Sequence, residues 1–132
     1  MRPATGLKLA GPPTPPAAAR KIKEDFPMHA QIVYMTAGDL AEARRIGRTL
    51  VEERLAACVN IIDGMRAVYR WEGELQEGQE VVVIAKTVAA KVDALVARVK
   101  ALHSYECCCV LALPVAAGNP PFLDWIAAEV SP

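Results

Sequence analysis

Residues 81–85 read VVVIA, an unbroken apolar run in which four of five side chains are β-branched. A strand half in water alternates apolar with polar, so a strand built from this run is covered on both faces. That requirement places the run near the middle of a sheet. The rest of the chain has to supply strands beside it and helices over it.

The flanking segments fit that demand. AQIVYMT (30–36) has strand composition and is followed by AGD, a turn and helix-start signal. Asp39 with Glu42 three residues on forms a capping-box pattern, and Leu40, Ala43, Ile46, Leu50 and Val51 recur at helical spacing. The spacing predicts a helix over about 39–54, with Arg44, Arg45, Arg48 and Glu52 outward. AACVNII (56–62) and MRAVYRWEG (65–73) predict a long strand interrupted near Asp63-Gly64. In its second half Met65, Ala67, Tyr69 and Trp71 alternate with Arg66 and Arg70, which implies one buried and one wet face. EGELQEGQE (72–80) reads as an acidic, glycine-bearing turn before the central run.

After it, Val88, Val92, Leu95, Val96, Val99 and Leu102 step at helical intervals without Gly or Pro, predicting a helix over about 88–102. CCCVLALPV (107–115) then reads as a strand, and NPPFLDWIAAEV as a short helix entered through Pro120 and Pro121. The order is β-α-β-β-α-β plus a tail helix. It predicts an α+β, ferredoxin-like sandwich: an antiparallel sheet with both main helices on one face.

Composition bounds the rest. At 132 residues and 53% hydrophobic content the chain suits one globular domain rather than a disordered chain or a membrane span. Net charge is zero, but the first 27 residues hold five basic and two acidic side chains, so the remainder is mildly acidic and a nucleic-acid partner is disfavoured. Six of the ten prolines also lie in those 27 residues. Proline fixes φ and removes amide donors, so residues 1–27 read as a flexible extension and 28–132 as the domain. The extension has no apolar run of the kind a secretory signal needs, and without serine it fits a transit peptide poorly. Met28, just before the first strand, is an alternative start.

The chain shows no nucleophile–base pairing, phosphate-binding glycine loop or metal-hydrolase motif, so catalysis is not expected. Two histidines and four cysteines without a C-x-x-C pair argue against a closed zinc module. Adjacent cysteines in a core-rich chain read as reduced thiols, hence a cytoplasmic protein. Strand alternation puts Cys107 and Cys109 on one face, about 6.6 Å apart along the chain, with Cys108 opposite. They are either small core residues or, through Cys107 and Cys109, a C-x-C pair for a soft ion such as Cu(I). Cys58 reads as core.

Five separated segments, LVEERLAACVNI, YRWEGELQ, VVVIAKT, LHSYE and LALPVAAGNPPFLDWI, stand in an order and spacing that resemble the CutA family of divalent-cation tolerance proteins over about residues 30–129. The resemblance implies a ferredoxin-like domain forming a stable homotrimer through strands that extend past the domain edge, with PII-like architecture. It further implies a non-catalytic role in tolerance to copper or another divalent metal ion, with no cofactor required. Positions proposed as copper ligands in bacterial members correspond to Met35, Leu102 and His103, so Met35 and His103 are the candidate ligands inherited here. Trp71, Lys86, Tyr105 and Trp125 match family positions near a cleft between subunits. Lys86, ending an apolar run, must reach water, pair with a carboxylate such as Glu80 or Glu106, or face a bound anion. Two other functions stay open: a PII-like sensor of an anionic metabolite in that cleft, and a structural trimer anchoring other proteins.

Overall fold

In the computed structural model, which describes Lys23 and residues 25–131, the apolar run lies where its composition requires. Four strands make one sheet: β1 (Ala30–Ala37), β2 (Cys58–Trp71), β3 (Glu74–Val88) and β4 (Val110–Pro114), in the order β2-β3-β1-β4. All neighbours pair antiparallel, and β3 has a strand on each side. Val81, Val83 and Ala85 point to one face with Val33, Met35 and Ala37 of β1. There they meet Ile46 and Leu50 of α1 (Leu40–Glu52) and Leu95 and Val99 of α2 (Val92–Leu102). This is the main core, and both helices lie on the same side of the sheet, as the alternation of elements predicts.

The other face is partly covered. α3 (Pro120–Val130) closes one end of it, packing Ile126 and Val130 on Val88 and Ala57. Pro120 and Pro121 open that helix, where missing amide donors cost nothing. Towards the other end the sheet surface is apolar and open: Ile62, Leu111 and Leu113 are each more than half exposed.

Three expectations are corrected. The acidic stretch 72–80 is not a loop, because only Glu72 and Gly73 turn, at φ 50° and 80°, and pairing resumes at Trp71↔Glu74. Two residues with positive φ form the tight hairpin whose twist matches that of the strands. β3 therefore runs from Glu74 to Val88, and the second helix, expected from 88, begins with a 3-10 turn at Ala89–Lys91 followed by α2 at Val92. The cysteine triplet lies outside β4, which starts at Val110. Beyond the Met35↔Val110 pair the Thr36 carbonyl accepts from the His103 ring instead, so the ladder stops short of Cys109.

The interruption expected near Asp63-Gly64 is a bulge: between Ile62↔Val82 and Met65↔Glu80, β2 takes three steps to two in β3. The extra residue reverses parity, keeping Met65, Ala67, Tyr69 and Trp71 on the same sheet face as Ile62. From Met65 to Glu80 the hairpin has no third strand among the described residues. It is a ribbon projecting beyond the sheet.

Residues 1–22 and 24 of the proposed flexible extension lie outside the described residues. Just before β1, the Pro27 carbonyl accepts from the Ala90 amide at 2.8 Å and Lys23 pairs with Asp93 of α2.

Candidate functional site

The candidate residues fall in four places, and the first is the crossing where α2 hands over to β4. α1 starts beside this crossing because Asp39 is an extended N-cap whose Oδ1 accepts from the Glu42 amide at 2.8 Å. Glu42 does not return the bond to Asp39, as a closed capping box would. Its Oε1 accepts from the Gly38 amide at 2.9 Å and its Oε2 from the Ser104 amide at 2.8 Å. Burial would raise the Glu42 carboxyl, but the hydrogen bonds from Gly38 and Ser104 outweigh it and hold the group below its ordinary value. A carboxylate 5% exposed thus ties the β1–α1 turn to the α2–β4 turn.

His103 takes part in the same junction. Its Nδ1 accepts from the Tyr105 amide at 3.0 Å, so Nε2 carries the proton and donates to the Thr36 carbonyl at 2.7 Å. Both ring nitrogens are used within the chain. Tyr105 stacks obliquely on the imidazole, 4.7 Å between centroids at 55°, and is buried with its hydroxyl towards Gly38. Met35, the other inherited candidate, is 1% exposed and points into the main core under the helices. An ion at His103 would have to displace a peptide group, and at Met35 it would have to enter the core.

The cysteines form the second place. All four in the chain are free thiols. Cys107 lies in a bend, while Cys108 packs against the main core under the helices. Cys109 faces the opposite side of the sheet, beside Thr36 and within the field of Glu80 and Cys107. Burial is the largest influence on both the Cys108 and Cys109 thiols and raises them. Sequence reasoning missed Thr36 and Glu80 as neighbours of the triplet. Only strand register brings them there.

The third place is Lys86, on the open face between Ile32 of β1 and Cys58 of β2. Its ammonium donates to the Asn60 side chain, so neither Glu80 nor Glu106 is its partner. Glu80 is six residues back along β3, about 20 Å at strand rise. The fourth place is peripheral: Trp71 at the ribbon tip, exposed Glu106, and Trp125 on α3, whose ring lies 5.4 Å from that of Phe122. Trp71, Lys86, Tyr105, Glu106 and Trp125 therefore do not converge within one chain. Among the described residues no three His, Cys, Asp or Glu side chains stand together in a way that could hold a metal ion.

The arrangement of elements, the projecting ribbon and the helix-side core coincide with one family. The model of the CutA1 divalent ion tolerance protein matches residues 31–129. This chain belongs to the CutA family. It is 47% identical over 96 residues to the divalent-cation tolerance protein CutA of Thermus thermophilus, covering 73% of this chain and 93% of that one. It is 45% identical over 93 residues to a CutA homolog of Xenopus laevis, covering 70% of this chain and 62% of that one. The crystal structure of CutA from Xylella fastidiosa superimposes with a TM-score of 0.76 at 39% identity, over 78% of this chain and 99% of that chain. The CutA match ends at residue 129, inside α3, so the whole βαββαβ unit and most of the tail helix belong to the shared fold.

Proposed function

We propose that this CutA chain acts in divalent-cation tolerance as a non-catalytic cytoplasmic homotrimer that takes a metal ion or a small anion between its copies. The observation that carries the reading is the ribbon. A two-stranded hairpin alone is marginal in water, yet here it leaves Val68 63% and Leu75 69% exposed. On the opposite face of the sheet, Ile62, Leu111 and Leu113 form a second exposed apolar area. Copies of the chain that cover these surfaces stabilise the hairpin and bring separate candidate residues together, which a single chain does not do. The anion variant of this reading draws on Lys86, a half-buried cation held by a neutral amide and not by any carboxylate among the described ion pairs.

Native mass spectrometry of chain purified without an affinity metal tests the proposal. The expected ion has three times the chain mass, and retained metal appears as added mass. Replacing Leu111 and Leu113 together by Glu places charges on the exposed apolar face and is expected to yield monomer. A parent that stays monomeric at all concentrations in light scattering removes the proposal.

A further inference from the structure

The metal-ligand candidates inherited from the family are engaged within the chain, whereas Cys107 and Cys109 of the cysteine triplet, unlike Cys108, take no part in the core packing described above. We propose that Cys107 and Cys109 form a two-coordinate site for a soft monovalent cation of the Cu(I) class. The proposal takes from the cation-tolerance reading only the kind of ligand, and it does not depend on the trimer.

The first ground is direction. Cys108 is turned under the helices into the main core, and the chain runs extended from it towards β4, so Cys109 turns to the opposite side. Cys109 is there, next to Thr36, and Cys107 is close enough to influence both other thiols. The bend at Glu106 and Cys107, which keeps the triplet out of the β4 ladder, frees Cys107 from the fixed spacing of a paired strand. A C-x-C pair on a bent segment can close on one ion. Three consecutive thiols in a regular strand cannot.

The second ground is the surroundings. Thr36 is 2% exposed, and its buried hydroxyl has no full-strength hydrogen-bond partner among the described residues, its contact with the Cys109 thiol being the weak kind that sulfur makes. Glu80, 5% exposed, adds negative potential on the same side of the sheet. A buried carboxylate near the Cys109 thiol favours a cation there over an anion. The third ground is coordination number. Zinc in structural sites takes four ligands, and no three-ligand cluster exists among the described residues. Cu(I) favours thiolate and accepts two ligands. On binding, each thiol gives its proton to solvent and the ion keeps its oxidation state, so no oxidant or reductant is consumed.

The test is anaerobic titration of the full chain with Cu(I) held by a competing chelator, read by thiolate-to-copper charge-transfer absorption. One Cu(I) per chain is expected. Cys107→Ser with Cys109→Ser is expected to lower the affinity at least about 100-fold, in line with loss of the metal's own ligands, while Cys108→Ser and His103→Ala leave it within a few-fold of the parent. Far-UV circular dichroism and native mass confirm that each variant is folded. X-ray absorption of the copper-loaded parent gives an independent reading that does not require any variant: two sulfur neighbours support the site, and nitrogen or oxygen neighbours overturn it. Equal affinity in the double variant and the parent also overturns it. A double Ser variant that stays trimeric and binds Cu(I) as tightly as the parent would sink this site while sparing the proposed function.

Discussion

Glu42 shows how much one buried side chain can organise. Its sequence position, three residues after an N-cap Asp, marks it as part of a helix start, but its two oxygens are spent on the amides of Gly38 and Ser104 from two different connections. Replacing it with Gln keeps the shape yet turns an NH2 group towards one of those donors. The expected loss is about 1–3 kcal/mol at neutral pH, measured by denaturant unfolding. Because the folded carboxyl titrates below its ordinary value of 4.5, its stabilisation is complete above that value and disappears as pH falls through the lowered one. The gap between parent and Glu42→Gln is therefore expected to close on acidification. A gap that stays constant into acid would show that the carboxylate charge is not what ties the turns together.

At the scale of elements, the hairpin turn carries a local cost. Glu72 holds φ 50° with a side chain that disfavours it, next to Gly73 at φ 80°. Asn adopts this conformation more readily, so Glu72→Asn, which creates the Asn-Gly pair preferred in such turns, is expected to stabilise the chain by about 0.5–1 kcal/mol. A thermal melt of the two proteins checks it, and an unchanged or lower Tm would mean that the Glu72 side chain makes a compensating contact. The bulge at Asp63-Gly64 serves the same element. Gly64 sits at φ 78°, and its amide is bound by Asp63 Oδ1 at 2.7 Å.

For the whole molecule, the described contacts between the segment before Met28 and the domain are backbone bonds next to the junction or are exposed. They include the Pro27 carbonyl on the Ala90 amide, the local Phe26 carbonyl on the His29 amide and the exposed Lys23–Asp93 pair. Exposed pairs contribute little and a single backbone bond about 1 kcal/mol, so a chain beginning at Met28 is expected to unfold within about 1–2 kcal/mol of the full chain and to keep the same native mass. A much larger loss, or a change of mass, would show that residues 1–27 pack on the domain or bridge copies. Because the proposed trimer would bind only folded chains, Tm is further expected to rise with protein concentration in both forms.

How much of this was legible in the sequence depends on the range of the interaction that decides each feature. Periodicity and composition are local, and by themselves they determined β1, α1, the central strand, the C-terminal helix, their order and the sandwich class. The Asp-Gly interruption was legible for the same reason, as was the opposed direction of Cys108 and Cys109. What the sequence left undecided depends on partners distant along the chain. The acidic stretch 72–80 reads as a turn because its residues are polar, yet β2 pairs with it residue by residue and makes it strand. The cysteine triplet reads as strand, yet His103 takes the Thr36 carbonyl and ends the ladder at Val110. Lys86 meets Asn60 instead of a carboxylate because register sets them on adjacent strands of one face. Local free energy selects the elements; only the tertiary structure decides which polar group each buried donor or acceptor finds, because those pairings exist only once the strands and helices have met.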